Sequence, residues 1–364
     1  MKEHSNLGKS LEIARESRGY TQGDLAKLTN ISQAQISKYE TGEKQISATD
    51  LELFSKILEY PESYFKKDRS NNVIHLDFRK GKSVPKKTFR RIHSIVNRTR
   101  SELKDILKEV ELDLLNIPEN IHSNQPEIVA EEIRRFWKIP SGPIHNLIKI
   151  IEDRNILLLG MKFSNEDKFS ACAIEIDFRQ PLIIFNSFHP MDRIRFSISH
   201  ELGHILLHHN EEADFSIPYE FDLKIKETEA NKFASCFLMP KNDIINDLKS
   251  ISLDKLQNLK FKWRVSIAAL LQRAFDLETI SYEKYISFRK ELSARRWIIK
   301  EPGDIPVETP SLIKEIFSVY IEDYGYTEKE LSDLLGLHLY EFNSIYMNKG
   351  LRLLNRGNNM NDGK

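Results

Sequence analysis

The sequence predicts an α+β protein that is mostly helical: all-α at its amino end, with a small antiparallel sheet in the middle and helices through the carboxyl end. Three observations predict it. Apolar residues recur at helical spacing over most of the 364 residues. Two short β-rich runs, ACAIEID at 171–177 and PLIIFN at 181–186, lie close together. A helix-turn-helix pattern occurs near each end of the chain. The length suffices for two or three domains, read as 1–67, a basic linker and connecting helix over 68–125, a central domain over 126–300 and a helical carboxyl region over 301–364.

The first segment, LGKSLEIARESRGYTQGDLAKLTNISQAQISKYETG, reads as short amphipathic helices. Leu11, Ile13 and Ala14 belong to the first, which Gly19 ends; Thr21 caps a second, with Leu25, Ala26 and Leu28 inward. Asn30 and Ile31 turn the chain, Ser32 caps a third helix, and Ile36 and Tyr39 return to the core. Two helices joined by a tight turn can present the second to a DNA major groove.

The residues Arg15…Arg18-Gly19-Tyr20-Thr21-Gln22…Leu25-Ala26…Ile31-Ser32…Ile36-Ser37-Lys38-Tyr39-Glu40…Gly42, with the closing LELFSKILEYPESYF, resemble the helix-turn-helix domains of the Cro/repressor (XRE) family. That resemblance implies double-stranded operator DNA as a partner. Gln22 would donate to a phosphate, while Gln33, Ala34, Ser37 and Lys38 would lie on the DNA-reading face, Gln33 being suited to bidentate pairing with adenine. Protein contact alone is the other use of such a fold.

Net charge is zero, with 54 basic and 54 acidic residues, but the distribution is uneven. From Lys66 to Arg100 twelve basic residues face only Asp68 and Asp77, a strip that suits either phosphate contact or a solvated connector. Within it begins RRIHSIVNRTRSELKDILKEVEL, a connecting helix, and NIPENIHSNQPE after it marks a boundary. No apolar run approaches the roughly 18 residues of a membrane span, and MKEHSNLGKS lacks the apolar core of a signal peptide, so a cytoplasmic protein without membrane contact is expected. Cys172 and Cys236, far apart in apolar company, read as buried thiols in a reducing compartment.

In the central segment, helices flank Pro140-Ser141-Gly142-Pro143, NILLLG begins a strand, and the two β-rich runs follow. MDRIRFSISHELGHILLHH then has Ile194, Ile198, Leu202, Ile205 and Leu206 at helical spacing. His200 and His204 are four apart, so both rings leave one side of the helix and can take two corners of a tetrahedral zinc. Glu201 lies beside them, placed to take a proton from an attacking water. Catalytic zinc needs a third protein ligand and an open position. The next strongly patterned helix, KETEANKFASCFLMP, supplies Glu227 as that ligand, and Asn231 on the same face can hydrogen-bond a ligand from outside the metal shell. Glu229, turned by about 200 degrees, is the alternative ligand. His208 can approach the site or sit at the helix end, and His209 is expected in solvent. Tyr219 and Arg193 are candidates for oxyanion stabilisation, a role the spacing leaves unassigned.

Arg195-Phe196-Ser197-Ile198-Ser199-His200-Glu201-Leu202-Gly203-His204, then Glu227-x-x-Ala230-Asn231-x-Phe233-Ala234 and Leu238-Met239-Pro240, resemble the ImmA/IrrE family of zinc metallopeptidases. WKIPSGPI…IIEDRNILL, IIFN, LKFKWRVSIAALLQRAFDL and WIIKEPGDIPVETPSL extend the likeness, which with the amino-terminal one spans Leu7 to about Leu312. It implies a zincin-like fold, Zn2+ as cofactor and a protein substrate, in this family a repressor whose cleavage induces its genes.

EPGDIPVETP at 301–310 reads as a proline-rich hinge. Beyond it GYTEKELSDLLGLHLYEFNSIYMNKG repeats GYTQGDLAKLTNISQAQISKYETG: Tyr20, Thr21, Leu25, Leu28, Ile31 and Ile36 correspond to Tyr326, Thr327, Leu331, Leu334, Leu337 and Phe342. Leu339 and Tyr340 stand where the first copy has Gln33 and Ala34, so core packing or partner contact is expected of the second copy rather than base reading. NRGNNMNDGK is expected to be disordered. Two functions follow from different classes: a DNA-binding regulator with zinc endopeptidase activity, or a non-proteolytic regulator whose metal site is sensory or structural. Paired half-sites are compatible with a homodimer.

Overall fold

The computed structural model describes residues 2–67, 85–110, 112, 115–118, 125–163, 169–176, 180–208 and 219–347. The expectations for the middle of the cationic strip, for His209 and for the carboxyl tail lie outside the described residues. Among those described, the chain forms two compact units: residues up to 67 with 86–105 and those from Ile313 onward make one, and Ile106–Leu312 the other.

The first unit begins with α1 (Lys2–Ser17), α2 (Gln22–Thr29), α3 (Gln33–Glu40), α4 (Ala48–Leu58) and α5 (Glu62–Phe65), and continues in α6 (Lys86–Leu107) as far as Asp105. Side-chain oxygens set the helix starts. Thr21 accepts from the Asp24 amide at 3.0 Å while the Asp24 carboxylate accepts from the Thr21 amide at 2.9 Å, and Ser32 and Ser47 cap α3 and α4. Leu11, Ala14, Leu25, Ile36, Phe54 and Leu58 are buried between the helices. Gly8 lets α1 and α3 touch, since a Cβ there would lie 2.2 Å from the Tyr39 carbonyl oxygen. Leu28, expected inward, is 50% exposed. Thr29 takes the inward position four residues after Leu25, its hydroxyl donating to the Leu25 carbonyl at 2.8 Å, and this phase turns Leu28 outward.

The second unit contains α7 (Pro126–Phe136), α8 (Leu147–Glu152), β1 (Leu157–Met161), β2 (Ala171–Glu175), β3 (Pro181–Asn186), α9 (Met191–His208), α10 (Tyr219–Leu238), α11 (Lys241–Ile244), α12 (Leu253–Trp263), α13 (Ile267–Asp276) and α14 (Tyr282–Ala294). The strand order is β1-β3-β2. β2 and β3 pair antiparallel, Cys172 opposite Ile184, as expected. β1 takes the other edge of β3 in parallel, Leu157 opposite Leu182, so the sheet is mixed rather than antiparallel throughout. The continuous apolar run of β1 lacks the alternation that marks an antiparallel strand with one wet face.

The segment expected as a hinge is instead strapped to this unit. Glu308 is buried against fully buried Arg195, whose Nη1 donates to it, and its other oxygen accepts the Leu147 and Ile148 amides at 2.7 and 3.0 Å, capping α8. Glu301 accepts the Ile267 and Ala268 amides at 2.8 and 3.0 Å at the start of α13, and with Asp192 it holds buried Lys260. Prolines in this stretch stop a helix, while its carboxylates find uncapped helix amides.

Beyond Leu312 the chain rejoins the first unit with α15 (Leu312–Glu322), α16 (Glu328–Leu335) and α17 (Leu339–Ile345). The repeat is structural as well as sequential. Thr327 and Glu330 form the same reciprocal cap as Thr21 and Asp24, and Gly336, at φ 72°, ends α16 in the left-handed conformation that Asn30 adopts after α2. Leu331, Leu335, Leu337 and Phe342 are buried. Glu341 reaches Arg98 of α6 at 2.8 Å and Arg18 at 3.1 Å, and the Tyr346 hydroxyl donates to Glu102 at 2.5 Å. The second copy therefore packs into the unit of the first.

Candidate metal centre and nucleic-acid interface

Two helices build the candidate metal centre. Ile198, Leu202, Ile205 and Leu206 anchor α9 in the core, which leaves His200 and His204 on the side facing α10. The helices approach closely because residue 203 is glycine: a Cβ there would lie 3.1 Å from Phe233 Cδ1 and 3.2 Å from Ala230 Cα. Tight approach at Ala230 carries Glu227, one turn earlier on α10, to the imidazoles.

His204 Nε2 lies 3.1 Å from His200 Nε2 and 3.4 Å from Glu227 Oε1, and His200 Nε2 lies 3.6 Å from Glu227 Oε2. Tetrahedral ligands about 2.0–2.1 Å from zinc stand about 3.3 Å apart. The donor set, two imidazole nitrogens and a carboxylate, and its spacing both fit such an ion. His200 Nδ1 meets Asn231 Oδ1 at 3.0 Å; an amide oxygen only accepts, so the ring proton sits on Nδ1 and the Nε2 lone pair is directed into the cluster.

Glu201, half-buried, accepts the Ala173 amide of β2 at 2.9 Å, which fixes its carboxylate at the edge of the sheet. No local pattern in the sequence signals this contact, because it joins the helix to a strand residue 28 positions earlier. Burial, and secondarily the Glu201 charge, pushes the neighbouring Cys172 thiol well up, so it stays protonated. Cys236 is pushed to about 11, chiefly by burial. Neither cysteine belongs to the donor cluster.

Other candidates fall elsewhere. Glu229 Oε2 stands 3.7 Å from His208 Nε2, which also faces the Lys226 carbonyl oxygen at 3.3 Å, so this pair joins the last residue of α9 to the middle of α10, the His208 ring lying 5.4 Å from that of His204. Arg193 donates to Ser170 Oγ at 3.0 Å. Tyr219 opens α10, its side chain outside the described residues. Arg195 and Glu308 stand in motifs quoted from the sequence without a role of their own; they pair with each other, and an arginine inside an apolar helix face was the available signal.

In the first unit, Gln33, Ala34 and Lys38 are exposed and Ser37 half-buried along one side of α3. Gln22 donates to Glu40 at 2.8 Å, and Glu40 also receives Arg15 at 2.6 and 3.0 Å, so the amide expected to meet a phosphate is held at the start of α2 by an internal carboxylate. Asp24 stands two residues further on the same turn, its carboxyl lowered to about 2 by hydrogen bonds with the Thr21 amide and hydroxyl, with Lys87 adding to the effect.

A family model described as helix-turn-helix matches residues 11–65, from α1 through α5, and one described as IrrE N-terminal-like domain matches residues 151–275, which hold the sheet, α9 and α10. Comparison with curated proteins gives no match. Among the described residues no helix is long and apolar enough to cross a membrane. One polypeptide thus carries a segment similar to XRE-type helix-turn-helix domains and, after it, one similar to the IrrE N-terminal-like domain of metallopeptidase-like proteins.

Proposed function

We propose that the protein is a DNA-binding transcriptional regulator whose second unit is a zinc-dependent endopeptidase acting on a regulatory protein, a repressor above all. The observation that carries the reading is the spacing of His200, His204 and Glu227, whose donor atoms stand 3.1 to 3.6 Å apart, as three corners of a zinc tetrahedron would. Held by these three residues, a zinc ion would supply Lewis acidity, able to polarise a carbonyl and to lower the pKa of water towards about 7. Glu201, oriented by the Ala173 amide, accepts a proton from the attacking water and returns it to the leaving amine. Asn231 keeps the His200 ring in the ligating tautomer. Structural zinc sites close their fourth corner with Cys or His, and both cysteines lie outside the cluster, which favours turnover over a purely sensory or structural ion. On the DNA side, Gln33 reads a base edge in the major groove and Ala34, Ser37 and Lys38 line the same face.

Glu201→Gln tests the assignment. The variant is expected to bind zinc as the wild type does and to lose cleavage of repressors encoded beside its gene, by two orders of magnitude or more on the scale of general-base contributions, about 10²–10⁴. Cleavage at the wild-type rate would remove Glu201 as the base; a wild type that holds zinc and cleaves none of these repressors would favour the non-proteolytic regulator.

A further inference from the structure

The helix-turn-helix faces an electrostatic problem: residues 1–65 contain ten acidic and eight basic residues, an adverse balance for a surface meant to meet phosphates. Asp24 adds to it locally, since its carboxylate stands on the first turn of α2. The same compact unit supplies a remedy in α6. Ser94 donates to Glu16 of α1 at 3.0 Å, fixing α6 beside α1, and Lys87, two turns earlier, reaches Asp24 at 3.3 Å. Arg91, four residues after Lys87 and on the same side, lays its aliphatic stem over the turn between α1 and α2, 3.2 Å from where a Cβ of Gly19 would stand. Lys86 and Arg90, also four apart, form the adjoining side and are exposed.

We infer that the first turns of α6 are a second DNA-contacting element, in which Lys86, Lys87 and Arg90 bind the phosphate backbone flanking the site read by α3. Lys87 offsets the Asp24 carboxylate at the first turn of α2, and the exposed Lys86 and Arg90 continue the positive charge along the adjoining side of α6. These contacts carry affinity and salt dependence but no sequence preference. The inference rests on the DNA-binding reading above and adds a surface outside residues 11–65, where the helix-turn-helix match ends.

The test uses the full chain and a duplex recovered by selection on it from random sequences, with a scrambled duplex alongside. Replacing Lys86, Lys87 and Arg90 by Ala is expected to weaken binding to both duplexes alike. The slope of log affinity against log salt should become shallower by about 0.9 for each phosphate no longer neutralised, so by about 2 to 3 in all. Gln33→Ala should instead reduce the preference for the selected duplex with little change of slope. A variant with Lys86→Arg, Lys87→Arg and Arg90→Lys should keep the wild-type slope. A wild-type slope in the alanine variant, or a reduced one in the charge-conserving variant, would overturn the assignment of α6 while leaving the α3 reading intact. Failure of the full chain to enrich any duplex would overturn the DNA reading and this inference together.

Discussion

His200 and Asn231 meet across α9 and α10, ring Nδ1 to amide oxygen, at 3.0 Å. The contact sets which imidazole nitrogen carries the proton and holds the ring against rotation. Asn231→Ala is expected to lower zinc affinity about 10- to 100-fold, and Asn231→Asp, which still accepts from Nδ1, to retain most of it. Competition with a chromophoric chelator measures both. Equal affinity in the alanine variant would mean that ring orientation is set elsewhere.

Gly203 is placed where α9 touches the backbone of α10. In an open helix, alanine in place of glycine stabilises by up to about 1 kcal/mol, whereas overpacking at a close crossing costs about 1–3 kcal/mol. Gly203→Ala should therefore lower the urea midpoint of the second unit and weaken zinc binding by displacing Glu227. A raised midpoint would contradict the tight crossing.

Glu308 neutralises buried Arg195 and caps α8 in one stroke. Its removal leaves a cation without a carboxylate and two amides without acceptors. Glu308→Ala is expected to destabilise the second unit by about 3–5 kcal/mol, and Arg195→Met combined with it by less than the sum of the two single changes. Chemical denaturation of the double-mutant cycle gives the answer, and additivity would show the groups to be uncoupled.

Glu341 joins the carboxyl-terminal repeat to Arg98 and Arg18. Burial alone would raise its carboxyl, yet the two guanidiniums hold it below its ordinary 4.5. A depressed folded-state value means that its contribution is complete above about pH 4.5 and fades as the pH falls through the lower folded value. Glu341→Gln should cost about 3 kcal/mol or more at neutral pH, with a difference from wild type that shrinks on acidification. Melting curves between neutral pH and pH 3 follow it; a difference independent of pH would show that the charge is not the source.

Both helix-turn-helix skeletons were legible because their signals are local. Thr21 with Asp24 and Thr327 with Glu330 announce helix starts within four residues, and the apolar spacing announces the buried side. The pairing of His200 with His204 is local in the same way. Leu28 escaped because a helix of eight residues gives too little pattern to fix its phase, and Thr29, a polar residue, took the inward place. The direction of β1 escaped because an apolar run looks alike in parallel and antiparallel pairs. The strap at 301–310 was misjudged since proline and glycine marked a break in helix, which is compatible with a tethered segment as well as a free one.

By itself the sequence determined what repeats within a turn of helix: the caps, the inward faces, two imidazoles on one side of α9, and a later helix with a carboxylate and an amide four apart. Only the tertiary structure decided what depends on residues far apart in the chain. It set Glu227 rather than Glu229 beside the imidazoles through the Gly203 crossing, Glu201 against the Ala173 amide, and α6 alongside the first turn of α2. Backbone geometry fixes directions over a few residues, whereas distances between elements are fixed by which side chains fill the space between them.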